Sequence, residues 1–120
     1  MAKILIVDDS ITSRKVLRNI LEAKGHTIIG EASNGYDGIQ KYIELEPDLT
    51  TMDITMPDLD GIEALHQITT YNPAAKVIMV TAAAQQNKML EALKYGATDF
   101  LQKPFVPDKI TNMVDLVLDR

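Results

Sequence analysis

Five polar residues stand where short apolar runs stop. Asp8 and Asp9 end Lys3-Ile4-Leu5-Ile6-Val7, and Asp53 ends Leu49-Thr50-Thr51-Met52. Thr81 ends Lys76-Val77-Ile78-Met79-Val80, and Lys103-Pro104 follows Phe100-Leu101-Gln102. If these runs are parallel strands, three carboxylates, a hydroxyl and an ammonium reach one sheet edge, where open α/β sheets hold their ligands. Carboxylates that close raise one another's pKa and strain the site unless a cation joins them. An oxygen-only set with room for water suits Mg²⁺, and no histidine or cysteine ligand is offered for zinc or copper. A carboxylate also attacks phosphoryl groups, and that transfer asks mainly for positioning and neutralised equatorial oxygens. Mg²⁺ would cover one oxygen and Lys103 a second. The Thr81 hydroxyl and the backbone N–H groups after Asp53 and Thr81 would take the third. Asp53 ends the middle run and is the candidate acceptor. Lys103-Pro104 is a candidate cis peptide, which would turn Lys103 inward.

The elements that must position these residues alternate strand-like and amphipathic stretches, the pattern of a βα-repeating domain. Val16, Leu17, Ile20 and Leu21 share one face of a first helix that stops at Gly25. His26 to Ala32 reads as a polar edge strand, and Ser33-Asn34-Gly35 as a turn. A second helix carries Ile39, Tyr42, Ile43 and Leu45 up to Pro47, which forbids its continuation. After the strand ending at Asp53, a helix turns Ile62, Leu65 and Ile68 inward and breaks at Asn72-Pro73. The fourth strand is the most apolar, hence covered on both faces. A fourth helix through Met89, Leu90 and Leu93 stops at Gly96, and Thr98 to Gln102 is the fifth strand. Ile110, Met113, Val114, Val117 and Leu118 give the last helix its inner stripe, with Asp108 in its first turn. The expectation is one (βα)₅ domain over residues 1–120, a parallel sheet with helices on both faces. Periodicity leaves the strand order open, and 2-1-3-4-5, an arrangement known among such sheets, is the candidate.

Bulk properties narrow the function. The net charge of −5 opposes non-specific binding to nucleic acid, which needs basic surface to displace counterions. No run is long enough to span a membrane, and the start leads directly into a strand. The absence of cysteine removes disulfides and thiol catalysis and is compatible with the cytoplasm. Taken singly, the site signals have plainer readings: an aspartate after a strand is also a common helix cap, and Lys-Pro a common turn. His26 and His66 read as solvated, and Asp58 and Asp60 as loop residues.

Along its whole length the chain resembles the receiver domains of two-component response regulators. The matching pieces are Ile4-Leu5-Ile6-Val7-Asp8-Asp9-Ser10, Asp53 with Met56-Pro57 and Asp60-Gly61, Thr81-Ala82, Gly96-Ala97, Phe100 and Lys103-Pro104-Phe105. The resemblance implies a flavodoxin-like, three-layer fold and a phosphoryl group received from a histidine kinase on Asp53. It implies Mg²⁺ held by Asp9, Asp53 and the Thr55 backbone carbonyl, with Asp8 acting largely through water. It further implies that Thr81 moves toward the phosphoryl group while Phe100 swings in behind it. The fourth helix, fifth strand and fifth helix would then carry the output. Such a protein is no enzyme in the ordinary sense, catalysing only its own phosphorylation and dephosphorylation. Met52-Asp53-Ile54-Thr55-Met56-Pro57 and Gln85-Gln86 resemble the stand-alone chemotaxis regulators of the CheY type found outside the enteric bacteria. That narrower likeness implies a cytoplasmic monomer, a CheA-like kinase, a flagellar motor switch protein as target and a phosphatase. Phe100 departs from the tyrosine of the best-known members, and the small Ala83 leaves the lifetime of the phosphorylated state open.

Other classes compete. A receiver of another phosphorelay, or one cut from a longer regulator, shares every motif. A haloacid-dehalogenase-like phosphohydrolase would need a general acid where Thr55 stands. A flavodoxin-like cofactor binder would need a Gly-rich loop after the first strand and an aromatic platform.

Overall fold

The computed structural model describes residues 1–120. Five strands alternate with helices: β1 (Lys3–Val7), α1 (Ile11–Ala23), β2 (Thr27–Ala32), α2 (Gly35–Leu45), β3 (Leu49–Asp53) and α3 (Gly61–Tyr71) come first. Then follow β4 (Val77–Thr81), a 3₁₀ segment (Ala83–Lys88), α4 (Met89–Lys94), β5 (Asp99–Gln102) and α5 (Pro107–Leu118). The sheet is parallel throughout with order β2-β1-β3-β4-β5, the anticipated arrangement. β3 lies in the middle, so Asp53 ends the central strand.

Successive side chains on a strand point to opposite faces, so each apolar strand feeds two cores. Leu5, Val7, Met52, Ile54, Val77 and Met79 pack with Tyr42, Ile62, Leu65 and Ile68 on the α2–α3 face. Ile4, Ile6, Leu49, Ile78 and Leu101 pack with Leu17, Leu21, Ile110, Val114 and Val117 on the α1–α5 face. Burial on both sides explains why these strands read as continuous apolar runs.

Helix starts are fixed by short polar caps. Ser10 accepts from the Ser13 amide, Asn34 from the Asp37 amide and Asp60 from the Glu63 amide. Asn34 and Asp60 are therefore caps rather than simple turn or loop residues. Gly25 (φ 88°) and Gly96 (φ 94°) adopt the left-handed backbone that ends helices cheaply only with glycine. His26 is half-buried, and its Nδ1 accepts the Ala2 amide at 3.1 Å, so it ties down the start of β1 rather than being solvated. His66 is exposed, as read, and stacks on Tyr95 at 4.2 Å between ring centroids.

Two helical faces differ from expectation. Val16 and Ile43 are exposed, leaving Leu17 and Leu21 to anchor α1 and Tyr42 to anchor α2. In α4 the buried residue is Ala92, while Leu90 is 80% and Leu93 52% exposed. The apolar letters of α4 thus describe a surface, and a small side chain joins it to the core.

Candidate functional site

β1, β3, β4 and β5 are adjacent strands, and register decides what meets at their carboxyl ends. Val7 pairs with Met52, Asp53 with Val80, and Thr81 with Gln102. Asp8 and Asp9 therefore emerge beside Asp53, with Thr81 and Lys103 on its other side. Ligand oxygens of Asp8, Asp9 and Asp53 all lie within 4.8 Å of one another. Lys103 Nζ reaches Asp8 Oδ2 at 3.1 Å and Asp53 Oδ2 at 3.5 Å. Lys103-Pro104 is cis, as anticipated. Asp8, Asp53 and Thr81 are buried, whereas Asp9 is exposed and Thr55 lies at the surface.

Asp8 is held from three directions. Its carboxylate accepts the Ser10 amide at 2.8 Å and the Lys103 ammonium, and Arg14 Nη1 donates to its carbonyl at 2.6 Å. Arg14 is itself fixed by Glu31 at 2.9 Å, which Arg18 also grips at 2.7 Å. Burial would raise the Glu31 carboxyl, but hydrogen bonds from Arg18 and Arg14 hold it below its ordinary value. These residues escaped the sequence reading because nothing at the level of motif joins positions 14 and 31. Only the β1–β2 pairing brings them together.

The electrostatics show what the cluster would hold. Burial, then the charges of Asp8 and Asp9, push the Asp53 carboxyl up to about 6 despite the opposing Lys103 ammonium. Burial disfavours charge on Lys103 too, but its bonds to Asp8 and Asp53 hold its pKa above the ordinary value. Three carboxylates against one ammonium leave two negative charges in excess. A divalent cation is the group that balances such a set, and a purely oxygen donor set selects a hard one. The Thr55 carbonyl accepts no hydrogen bond from the chain and stays available as a further oxygen donor.

The amides expected to receive a phosphoryl oxygen are both engaged. The Ile54 amide donates to the Val80 carbonyl at 3.2 Å, a sheet bond. The Ala82 amide donates to the Gln85 side-chain carbonyl at 2.9 Å, and the Gln85 carboxamide also donates to Thr55 Oγ1. Ile54 is thus unavailable without breaking the ladder, and Ala82 only through movement of a side chain. Phe100 is half-buried and packed, like Tyr95, against the α2–α3 core, while its neighbour Leu101 faces the α1–α5 core.

A family model described as the response regulator receiver domain matches residues 4–115. The sequence is 44% identical to the chemotaxis protein CheY of Listeria monocytogenes over 115 residues, 96% of this chain and 97% of that one. It is 47% identical over 118 residues to protein CcdB of Bacillus subtilis, covering 98% of each. Among solved structures, the CheX–CheY–BeF3–Mg²⁺ complex from Borrelia burgdorferi matches with a TM-score of 0.91 at 36% identity, covering 96% of this chain and 87% of that one. With the β2-β1-β3-β4-β5 sheet and the acidic cluster at its carboxyl edge, these likenesses carry one conclusion: the chain belongs to the response regulator receiver domain family, a CheY-like signalling module.

Proposed function

We propose that this protein is a phosphorylation-operated switch in which Asp53 takes the phosphoryl group of a phosphohistidine on a CheA-like kinase. The observation that carries this reading is Lys103 Nζ set 3.1 Å from Asp8 and 3.5 Å from Asp53 at the mouth of the sheet. An Asp53 oxygen attacks phosphorus, the new O–P bond forms as the N–P bond breaks, and the imidazole, already protonated on its other nitrogen, leaves as a neutral ring. Lys103 neutralises one equatorial oxygen throughout, a contact worth most where water is scarce. Thr81, at the end of the neighbouring strand, donates its hydroxyl to another. Asp8, Asp9, Asp53 and the Thr55 carbonyl would hold Mg²⁺, which supplies charge neutralisation of the phosphoryl oxygens when bound.

Output follows from the same geometry. Thr81 moving toward a new dianion vacates space behind it, and Phe100, half-buried on β5, is the ring placed to fill it. The readout surface is the α4–β5–α5 face, where Leu90, Leu93, Val106 and Leu116 are exposed. Unpartnered apolar side chains there suit a protein target. Chemotaxis is supported by the likeness to the Listeria chemotaxis protein CheY, and a CheX-like protein partner by the Borrelia complex; a flagellar motor switch target and a phosphatase belong to the same proposal. The receiver unit would occupy residues 1–120 and, by its likeness to the chemotaxis regulators, work in the cytoplasm. The 47% identity to protein CcdB favours a second reading, a receiver serving another two-component pathway with the same chemistry.

Incubation with acetyl phosphate, with and without Mg²⁺, tests the chemistry by intact mass. One added phosphoryl group that needs both Mg²⁺ and Asp53 is expected. Labelling that persists in Asp53→Asn would overturn the assignment.

A further inference from the structure

Gln85 closes a bridge across the mouth of the site. Its side-chain carbonyl accepts the Ala82 amide at 2.9 Å, and its carboxamide nitrogen donates to Thr55 Oγ1. It is half-buried, while Ala82, Ala83, Ala84 and Gln86 around it are exposed. One side chain thus joins the loop after β3 to the 3₁₀ segment after β4, the two segments flanking Asp53 and Thr81. The bridged amide takes part in no sheet bond, unlike the Ile54 amide, which Val80 holds.

We propose that Gln85 is a positioning residue that latches the resting site shut, competing with the incoming phosphoryl group for the Ala82 amide. The inference rests on the phosphoacceptor reading of Asp53. The chemistry is a contest between acceptors. A carboxamide oxygen is a neutral acceptor, whereas a phosphoryl oxygen is ionised and forms the stronger bond with the same N–H. The two acceptors also repel each other if both stay. Phosphorylation therefore expels the Gln85 carbonyl, breaks the tie to Thr55 and frees the Ala83–Lys88 segment that leads into α4. The latch slows phosphorylation and links occupancy of the site to movement of the segment beside the proposed readout face.

The test compares wild type, Gln85→Ala and Gln85→Met, using acetyl phosphate with Mg²⁺ over a range of concentrations. Methionine matches the length of glutamine without its donor and acceptor, separating bridging from bulk. Both variants are expected to label about 3- to 10-fold faster at low acetyl phosphate, the factor one neutral hydrogen bond is worth. The gain should fall in the half-saturating concentration rather than the maximal rate, with thermal midpoints lowered by only the few degrees that losing a helix-capping hydrogen bond costs. The Ala82 amide resonance offers a readout that a merely structural role leaves still. Beryllofluoride should move it in all three proteins to one position, from a start that differs between wild type and the two variants. Labelling rates within a factor of about 2 of wild type, or an Ala82 resonance identical in all three free proteins, would overturn the latch. Failure of wild type to label at Asp53 would overturn the phosphoacceptor reading itself and the latch with it.

Discussion

The backbone of Gly61 lies against the backbone carbonyl of Asp53, so closely that a Cβ on Gly61 would collide with that carbonyl and with the Ile54 α carbon. The Gly61 amide completes the contact by donating to the Ile54 carbonyl at 2.6 Å. The loop from Ile54 to Asp60 is thereby folded back onto the strand that bears Asp53, with Asp60 capping the next helix.

Gly61→Ala should therefore damage both stability and site. Backbone, unlike a flexible side-chain tip, has little room to yield, so a loss of about 2–3 kcal/mol is expected. Urea unfolding measures the loss, and labelling by acetyl phosphate should fall with it. An unchanged urea midpoint would show that the loop can shift without cost.

Without divalent cations, pH should act on stability through Asp53. Its folded pKa, pushed to about 6 from 3.8 by burial and its acidic neighbours, means the folded state binds this proton more tightly than the unfolded chain does. The contribution is fully present below pH ~4 and is lost as pH rises through about 6. Glu31 works in the opposite sense, its lowered pKa adding stability that is lost as pH falls. The comparison with Asp53→Asn isolates the first effect. At pH 7.5 in chelator the variant should be more stable than wild type by up to about 3 kcal/mol, the difference shrinking toward pH 4. Mg²⁺ should narrow the gap by stabilising wild type preferentially.

Lys103→Met removes the one ammonium that touches both Asp8 and Asp53. Loss of a preorganised charge at the phosphoryl oxygens should slow labelling by about 10²-fold or more. Mg²⁺ binding should survive, since the oxygen donors remain. A variant that labels at the wild-type rate would remove Lys103 from the chemistry.

Thr50 and Thr51 bury hydroxyls that find no hydrogen-bond partner. Both lie on β3 between apolar neighbours, Thr50 beside Leu5 and Val77 and Thr51 beside Ile6 and Ile78. Valine keeps the shape and removes the unpaired group, so each Thr→Val change should raise stability by about 1 kcal/mol. Thermal unfolding reads the gain, and destabilisation would show that the hydroxyl has a partner in solution.

Much of the site was legible because its residues sit at the ends of strands buried on both faces. Such strands read as unbroken apolar runs, and the first polar letter after each run marks the sheet edge. Asp8, Asp53 and Thr81 follow that rule, Lys103 stands one place beyond the polar Gln102 of the less buried β5, and Asp8, Asp9 and Asp53 cluster as expected. α4 was misread because periodicity sees hydrophobicity without seeing what it faces: Leu90 and Leu93 look outward and Ala92 looks in. Asn34 and Asp60 were misread because caps and turns use the same polar letters. Gln85 drew notice only as part of a family likeness. Its bridge to Ala82 and Thr55 exists only once β3 and β4 lie side by side.

The distribution of the site over β1, β3, β4 and β5 makes competence a property of the finished chain. Lys103 follows β5, the last strand to leave the ribosome, and β5 pairs only with β4. A truncated or half-assembled molecule can hold Asp8, Asp9 and Asp53 and still lack the cation that touches two of them. On the proposed reading of Asp53, acceptance of a phosphoryl group is thereby tied to completed folding, because the ammonium that would steady the phosphoryl oxygens arrives with the last strand.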